Sequence, residues 1–176
     1  MTIFFISLAA LAFIHFVYEG ILAPSLSAKL RLEIFTLRDN LRDLKIKRGT
    51  ELSDEVFREL QSSMNGAVAR LNQIDLRLLR IARQEIERDE ELRKRVARHM
   101  AILDECPLEE VHIIRGKYFE LLDRVLMVNS GGWIPYLVPI AFGYIFADTA
   151  KSLIKTVFSL PENDLNRIAP PPPAFA

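Results

Sequence analysis

Apolar and charged positions are segregated along this chain instead of being interleaved. Ile3 to Leu22 reads IFFISLAALAFIHFVYEGIL, with Glu19 its one acid and His15 its one imidazole. Residues 131 to 147, GGWIPYLVPIAFGYIFA, carry no charge. Residues 23 to 130 hold 20 of the 23 Lys and Arg and 19 of the 23 Asp and Glu. A soluble domain mixes the two classes along its length, because each of its elements needs a dry face and a wet one. The segregation predicts an all-α membrane protein in four parts. Residues 1–23 form an N-terminal transmembrane helix, and residues 24–130 a charged middle region of helical-hairpin or coiled-coil type. Residues 131–160 form a second short transmembrane or re-entrant segment with an amphipathic extension, and residues 161–176 a proline-rich tail.

The twenty residues from Ile3 to Leu22 span about 30 Å as a helix, the thickness of a bilayer's hydrocarbon core. Ser25-Leu26-Ser27 has the small-x-small spacing of a signal-peptide cleavage site. However, no basic region precedes the apolar run, and the run is too long for a signal h-region. An uncleaved anchor is the better reading. His15 and Glu19 lie four residues apart and share a helix face, which makes them an intramembrane polar pair. Glu19 falls near the end of the segment, beside Tyr18 and Gly20, where a charge costs less than at mid-bilayer. A headgroup-level placement therefore outweighs an ion site.

The second apolar segment is interrupted by Pro135 and Pro139, each of which removes a backbone hydrogen bond. Trp133, Tyr136 and Tyr144 are aromatics of the membrane-interface type. After Ala147 the pattern turns amphipathic: Ala150, Leu153, Ile154, Val157 and Phe158 share a face, with Lys151 and Lys155 outside it. A single crossing is favoured over partial entry followed by a surface helix. Lys29, Arg31 and Arg38 follow the first segment, and Arg115, Lys117 and Arg124 precede the second. The positive-inside rule then puts the middle region in the cytoplasm, at a bacterial inner membrane, with both termini outside if the second segment crosses.

In the middle region Leu30, Ile34, Leu37, Leu41 and Leu44 recur at 4-3-4-3 spacing, one seam of a helix in an a/d pattern. Lys47, Arg48 and Gly49 close it with terminal cations and a left-handed cap. Ser53 is a helix N-cap followed by Asp54 and Glu55. Leu60, Met64, Ala67, Leu71, Ile74, Leu78 and Ile81 form a second seam, which predicts an antiparallel partner for the first. Leu30, Ile34, Leu37, Leu41, Leu44, Leu71, Ile74 and Leu78 are the expected packing and oligomerisation seam. Leu76 and Leu79 lie off it and leave apolar surface for another helix or subunit. From Gln84 the seam fades into QEIERDEELRKRVARH, where Asp89, Glu90 and Glu91 each precede a base by four residues, as on a solvated helix. That helix ends near Asp104 to Cys106. Pro107 opens the next, whose stripe is Leu108, Val111, Ile114, Tyr118, Leu122 and Val125. Asn129-Ser130-Gly131-Gly132 is a stop and hinge.

Composition adds mostly exclusions. Net charge is zero, and the basic run around Arg93 is neutralised by neighbouring acids, so no nucleic acid is expected as a partner. The single Cys106 rules out an intramolecular disulfide. Glu109 and His112 make one Glu-x-x-His spacing, where a di-iron bundle needs two copies and further glutamates. There is no phosphate-cradling glycine loop, nucleophile elbow or Cys-x-x-Cys pair. Nothing in the sequence brings a Ser, a His and an acid together. No cofactor, metal or enzymatic activity is expected. The APPPPAFA end reads as a plain extended tail.

The functional expectation is a membrane-anchored helical scaffold or adaptor that oligomerises or binds partner proteins through its soluble helices. Its partners are the lipid bilayer and a second copy or another helical membrane protein. The alternatives are a two-span transmembrane sensor and a pore or ion-conducting subunit lined by His15, Glu19 and the proline-interrupted second segment.

Overall fold

The apolar run and the first seam belong to one uninterrupted helix. In the computed structural model, which describes residues 1–130, 153–158 and 162–168, α1 (Thr2–Val17) passes through a π turn at Tyr18–Leu22 into α2 (Ala23–Arg48). The continuous stretch is 47 residues long, roughly 70 Å at the usual rise. Pro24 sits in the first turn of α2. A proline has no N–H, and its ring crowds the carbonyl four residues back. The π turn just before it sends the Ala23 N–H to the Tyr18 carbonyl, five residues back. This wider winding lets the chain pass the proline without stopping.

Helix α2 ends where the sequence places its end. Gly49 has φ +54°, a conformation that costs a residue with a Cβ, and its N–H reaches the Lys45 carbonyl at 2.9 Å. Lys45 Nζ donates to the Gly49 carbonyl at 3.0 Å and lies 2.6 Å from Asp54, tying the turn shut. Helix α3 (Asp54–Ala69) starts with Ser53 Oγ accepting from the Val56 N–H at 3.2 Å.

The second seam departs from the expected single helix. It is carried by α3, a 3₁₀ turn at Leu71–Gln73 and α4 (Leu76–Arg88). Asp75 caps α4, accepting from the Leu78 N–H at 2.8 Å. Another break separates α4 from α5 (Glu90–Asp104): Asp89 accepts from the Leu92 N–H at 3.0 Å. Asp89 is therefore an N-cap, not a mid-helix partner for Arg93. Arg95 pairs with Asp164 at 3.1 Å instead of with Glu91, whereas the Glu90–Lys94 pair is present at 3.4 Å. The middle region is thus a bundle of short helices around α2, not a two-stranded hairpin. Helix α6 (Glu109–Ser130) lies along α2, and α3 packs on α2 and α5. Asn129 and Ser130 still belong to α6, so the helix runs on past the stop read at Asn129; Gly131 and Gly132 lie outside the described residues.

The C-terminal part also departs from expectation. Residues 153–158 are helical (α7), and Glu162–Ile168 form α8. Ile154, Val157 and Phe158 are fully buried in the same core as α2 and α6, as is Leu165 of the stretch read as tail. Helix α8 packs on α3 and α4. Residues 131–152, which hold the proline-interrupted segment, and 169–176, which hold the proline run, lie outside the described residues.

Candidate functional site

The junction between α1 and the bundle is held by a hydrogen bond across more than half the chain. Tyr18 Oη donates to the Val128 carbonyl at 2.7 Å, linking the π turn to the last turn of α6. No residue of α1 is buried. Phe4, Phe5, Phe13 and Phe16 are each more than 60% exposed, whereas Leu11 and Val17 are half-buried. His15 is half-buried and Glu19 exposed. The π turn starts between them, so their spacing is no longer that of a regular α-helix. Directly beyond the turn, Leu26, Lys29 and Leu30 of α2 face Arg124, Met127 and Val128 of α6 across a groove of about 350 Å³.

All eight residues of the expected packing seam are buried within one chain. Ile34, Leu41 and Ile74 are fully enclosed, and Leu30, Leu37, Leu44, Leu71 and Leu78 are nearly so. They form the core of the bundle. Leu79 is buried as well, whereas Leu76 is 46% exposed.

A polar cluster that sequence reasoning did not find lies where α3, α5 and α6 meet. His99 is 3% exposed, with Nδ1 at 2.7 Å from Glu59 Oε2 and Nε2 at 3.4 Å from Ser63 Oγ. Tyr118 Oη donates to the Ser63 carbonyl at 2.8 Å, and burial pushes its phenol up, well above the usual range. Burial also holds the His99 imidazole below its ordinary value, with Arg115 acting in the same sense and Glu59 and Asp164 opposing. Glu59, His99 and Ser63 stand in the order of a hydrolytic relay. However, Ser63 is 1% exposed in mid-helix, and its hydroxyl donates to the Glu59 carbonyl at 3.0 Å. The trio works as an internal brace. The i, i+4 spacing of Glu59 and Ser63 was visible in the sequence, but nothing in the sequence pointed to a histidine on another helix as their partner.

A second brace closes the α3–α4 break. The Asn129 amide donates to the Leu71 carbonyl at 2.7 Å and the Ile74 carbonyl at 2.9 Å, at the point where the helix is interrupted. Arg70, 1% exposed, donates to the Gly66 carbonyl at 2.9 Å and reaches Asn166 of α8. Glu109 and His112 are not joined in a site: His112 Nε2 donates to the Cys106 carbonyl at 2.8 Å and closes the α5–α6 turn. Cys106 is itself buried. Among the described residues, no group of three or more His, Cys, Asp or Glu is placed to hold a metal ion.

The chain matches no protein family, no curated protein and no solved structure. What its own fold defines is a class: an all-α bundle built on a helix whose N-terminal part is long and apolar enough to cross a membrane.

Proposed function

We propose that this chain is a membrane-anchored helical scaffold or adaptor, fixed in a bilayer by residues 2–22 and presenting its bundle to partner proteins on the cytoplasmic side. One observation carries the reading. No residue of the apolar helix α1 is buried among the described residues and its phenylalanines are exposed, yet it is continuous with α2, a helix of the core. Each large apolar side chain left in water forgoes about 1.5–3 kcal/mol of burial, and a patch this size marks a lipid or protein contact. The rigid continuation into α2 makes the anchor part of the scaffold, so the bundle is held at a fixed attitude to the membrane.

Because the seam leucines are consumed inside the chain, partner contacts fall to exposed apolar positions on the bundle. Leu32, Ile46 and Ile113 are 64%, 80% and 48% exposed. Photo-crosslinking residues placed at each of these sites in native membranes should yield discrete adducts from at least one. No adduct from any of the three would count against the adaptor role.

A second reading, a sensor whose bundle lies outside the cell, draws on the same rigid helix, which would transmit a displacement to the membrane. A cysteine at exposed Asn72, in a Cys106→Ser background, separates the two. Labelling of intact cells by an impermeant thiol reagent supports the sensor, and labelling only after lysis supports the cytoplasmic scaffold.

A further inference from the structure

The groove between α2 and α6 has an apolar floor and a rim of two bases and one acid, Lys29, Arg124 and Asp123. Leu26, Leu30 and Val128 line the floor together with Met127, which is 63% exposed. Lys29 and Arg124 stand on the rim. Arg124 spends one donor on Glu33, at 2.8 Å, and a guanidinium has five. Lys29 is exposed, so its ammonium is open to an incoming anion. Lys29 lies seven residues past Leu22, roughly 10 Å along the helix, and its flexible stem lets the charged head reach back toward the bilayer. On the reading that residues 2–22 span the membrane, the groove opens at the depth of the lipid headgroups.

We infer that this groove is a binding site for a monoanionic phospholipid such as phosphatidylglycerol. The inference rests on the membrane-anchor reading of the preceding subsection. The two halves of such a lipid match the two halves of the site: the glycerol end of an acyl chain lies on Leu26 and Met127, and the phosphodiester meets Lys29 and Arg124. A soluble phosphate dianion would leave the apolar floor unused, and Asp123, which also lines the groove, opposes its two charges more than the single charge of a phosphodiester. A zwitterionic lipid brings its own cation to the rim and gains less from the two bases. The site ties the bundle to the anionic leaflet at a second point, beside the anchor itself.

The test uses the full chain with Cys106→Ser and a fluorophore on Ala28→Cys, an exposed position beside the groove and outside its lining, in vesicles of phosphatidylcholine. One set carries a fifth of its lipid as brominated phosphatidylglycerol, and the other carries the same fraction of brominated phosphatidylcholine. Co-flotation is measured first, and quenching of the fluorophore second. The site predicts that the brominated anionic lipid quenches severalfold more than the brominated zwitterionic lipid. Lys29→Gln and Arg124→Gln should each cut that preference about fivefold. Arg31→Gln, two residues away and outside the groove, should leave it intact. Equal quenching by the two lipids in floating vesicles overturns the site while leaving the anchor standing. So does an equal loss in Lys29→Gln and Arg31→Gln, which would reflect surface potential alone. Failure to float with any vesicle overturns the anchor and the site together. Lys29 and Arg124 are solvent-exposed, so unchanged helical circular dichroism and melting of both variants confirms that the fold is not what changed.

Discussion

Tyr18 donates its phenolic proton to the Val128 carbonyl at 2.7 Å, joining two residues 110 positions apart. This bond fixes the end of the apolar helix to the last turn of α6, beside the π turn that carries the chain past Pro24. Among the described residues, α1 is therefore coupled to the bundle both by helix continuity and by this contact.

Removing the phenol tests the second coupling. Tyr18→Phe keeps the ring and deletes one hydrogen bond, a loss of about 0.5–1.5 kcal/mol. The expected result is a broadened distance distribution between spin labels on α1 and α6 in bilayers, with the melting temperature of the bundle lowered only slightly. An unchanged distribution would mean that helix continuity alone sets the geometry.

The α3–α4 break depends on Asn129. Its amide donates to the carbonyls of both Leu71 and Ile74, and Asn129→Leu removes both bonds, leaving the Leu71 carbonyl only the Ile74 N–H at 3.4 Å. The expected destabilisation is about 1–3 kcal/mol, read from chemical denaturation, with hydrogen exchange accelerating first around residues 70–75. Wild-type stability in this variant would show that water replaces the amide without cost.

How much of this was legible in the sequence depended on how local each signal was. The end of α2 at Gly49 and the start of α3 at Ser53 rest on residues within one turn of the feature, and both were readable. The stripe of α6 was readable for the same reason, since Val111, Tyr118, Leu122 and Val125 face one core. The break at residues 70–75 was not. A 4-3 spacing runs from Ala67 into Leu71, Ile74 and Leu78 whether or not the helix does, and the groups that stabilise the break come from Asn129 and Asn166 far along the chain. The caps at Asp75 and Asp89 carried a local signal, but the first was masked by the seam and the second by the run of i, i+4 charge pairs. The Glu59–His99 pair spans two helices 40 residues apart, and no periodicity within either points to the other. The amphipathic face of residues 153–158 was readable, but not what it packs on: the same pattern serves a membrane surface or a protein core.

His99 makes stability depend on pH in a defined direction. An unfolded histidine takes up its proton near pH 6.5, whereas burial keeps the native imidazole neutral to lower pH. The unfolded state therefore binds more protons in this window, and stability falls as pH drops through 6.5 toward the depressed native value. Below that value this group contributes no further loss. The Glu59 and Asp164 carboxylates oppose the shift and Arg115 reinforces it. Melting temperature should decline between about pH 7 and 5.5 in the wild type and decline less in His99→Gln. Identical slopes in the two proteins would remove His99 as the titrating group.

Gly49 tests the turn between α2 and α3. Its φ of +54° is one that a Cβ disfavours, although open space surrounds the position. Gly49→Ala should cost about 1 kcal/mol through backbone strain alone, measured by thermal melting. Leu41→Ala, at a fully buried site, should cost about 2–5 kcal/mol in the same assay. An equal effect of the two would mean that the core around Leu41 collapses to fill the space.

The central claim is that α1 sits in lipid. Full-length chain reconstituted with vesicles and washed at alkaline pH, which strips peripheral proteins, tests it most directly. The account predicts that the chain stays with the vesicles, and that replacing Leu8 and Ala12 in the middle of α1 with Arg releases it with its bundle still folded. Release of the unmodified chain into the wash as a folded, soluble protein would contradict it.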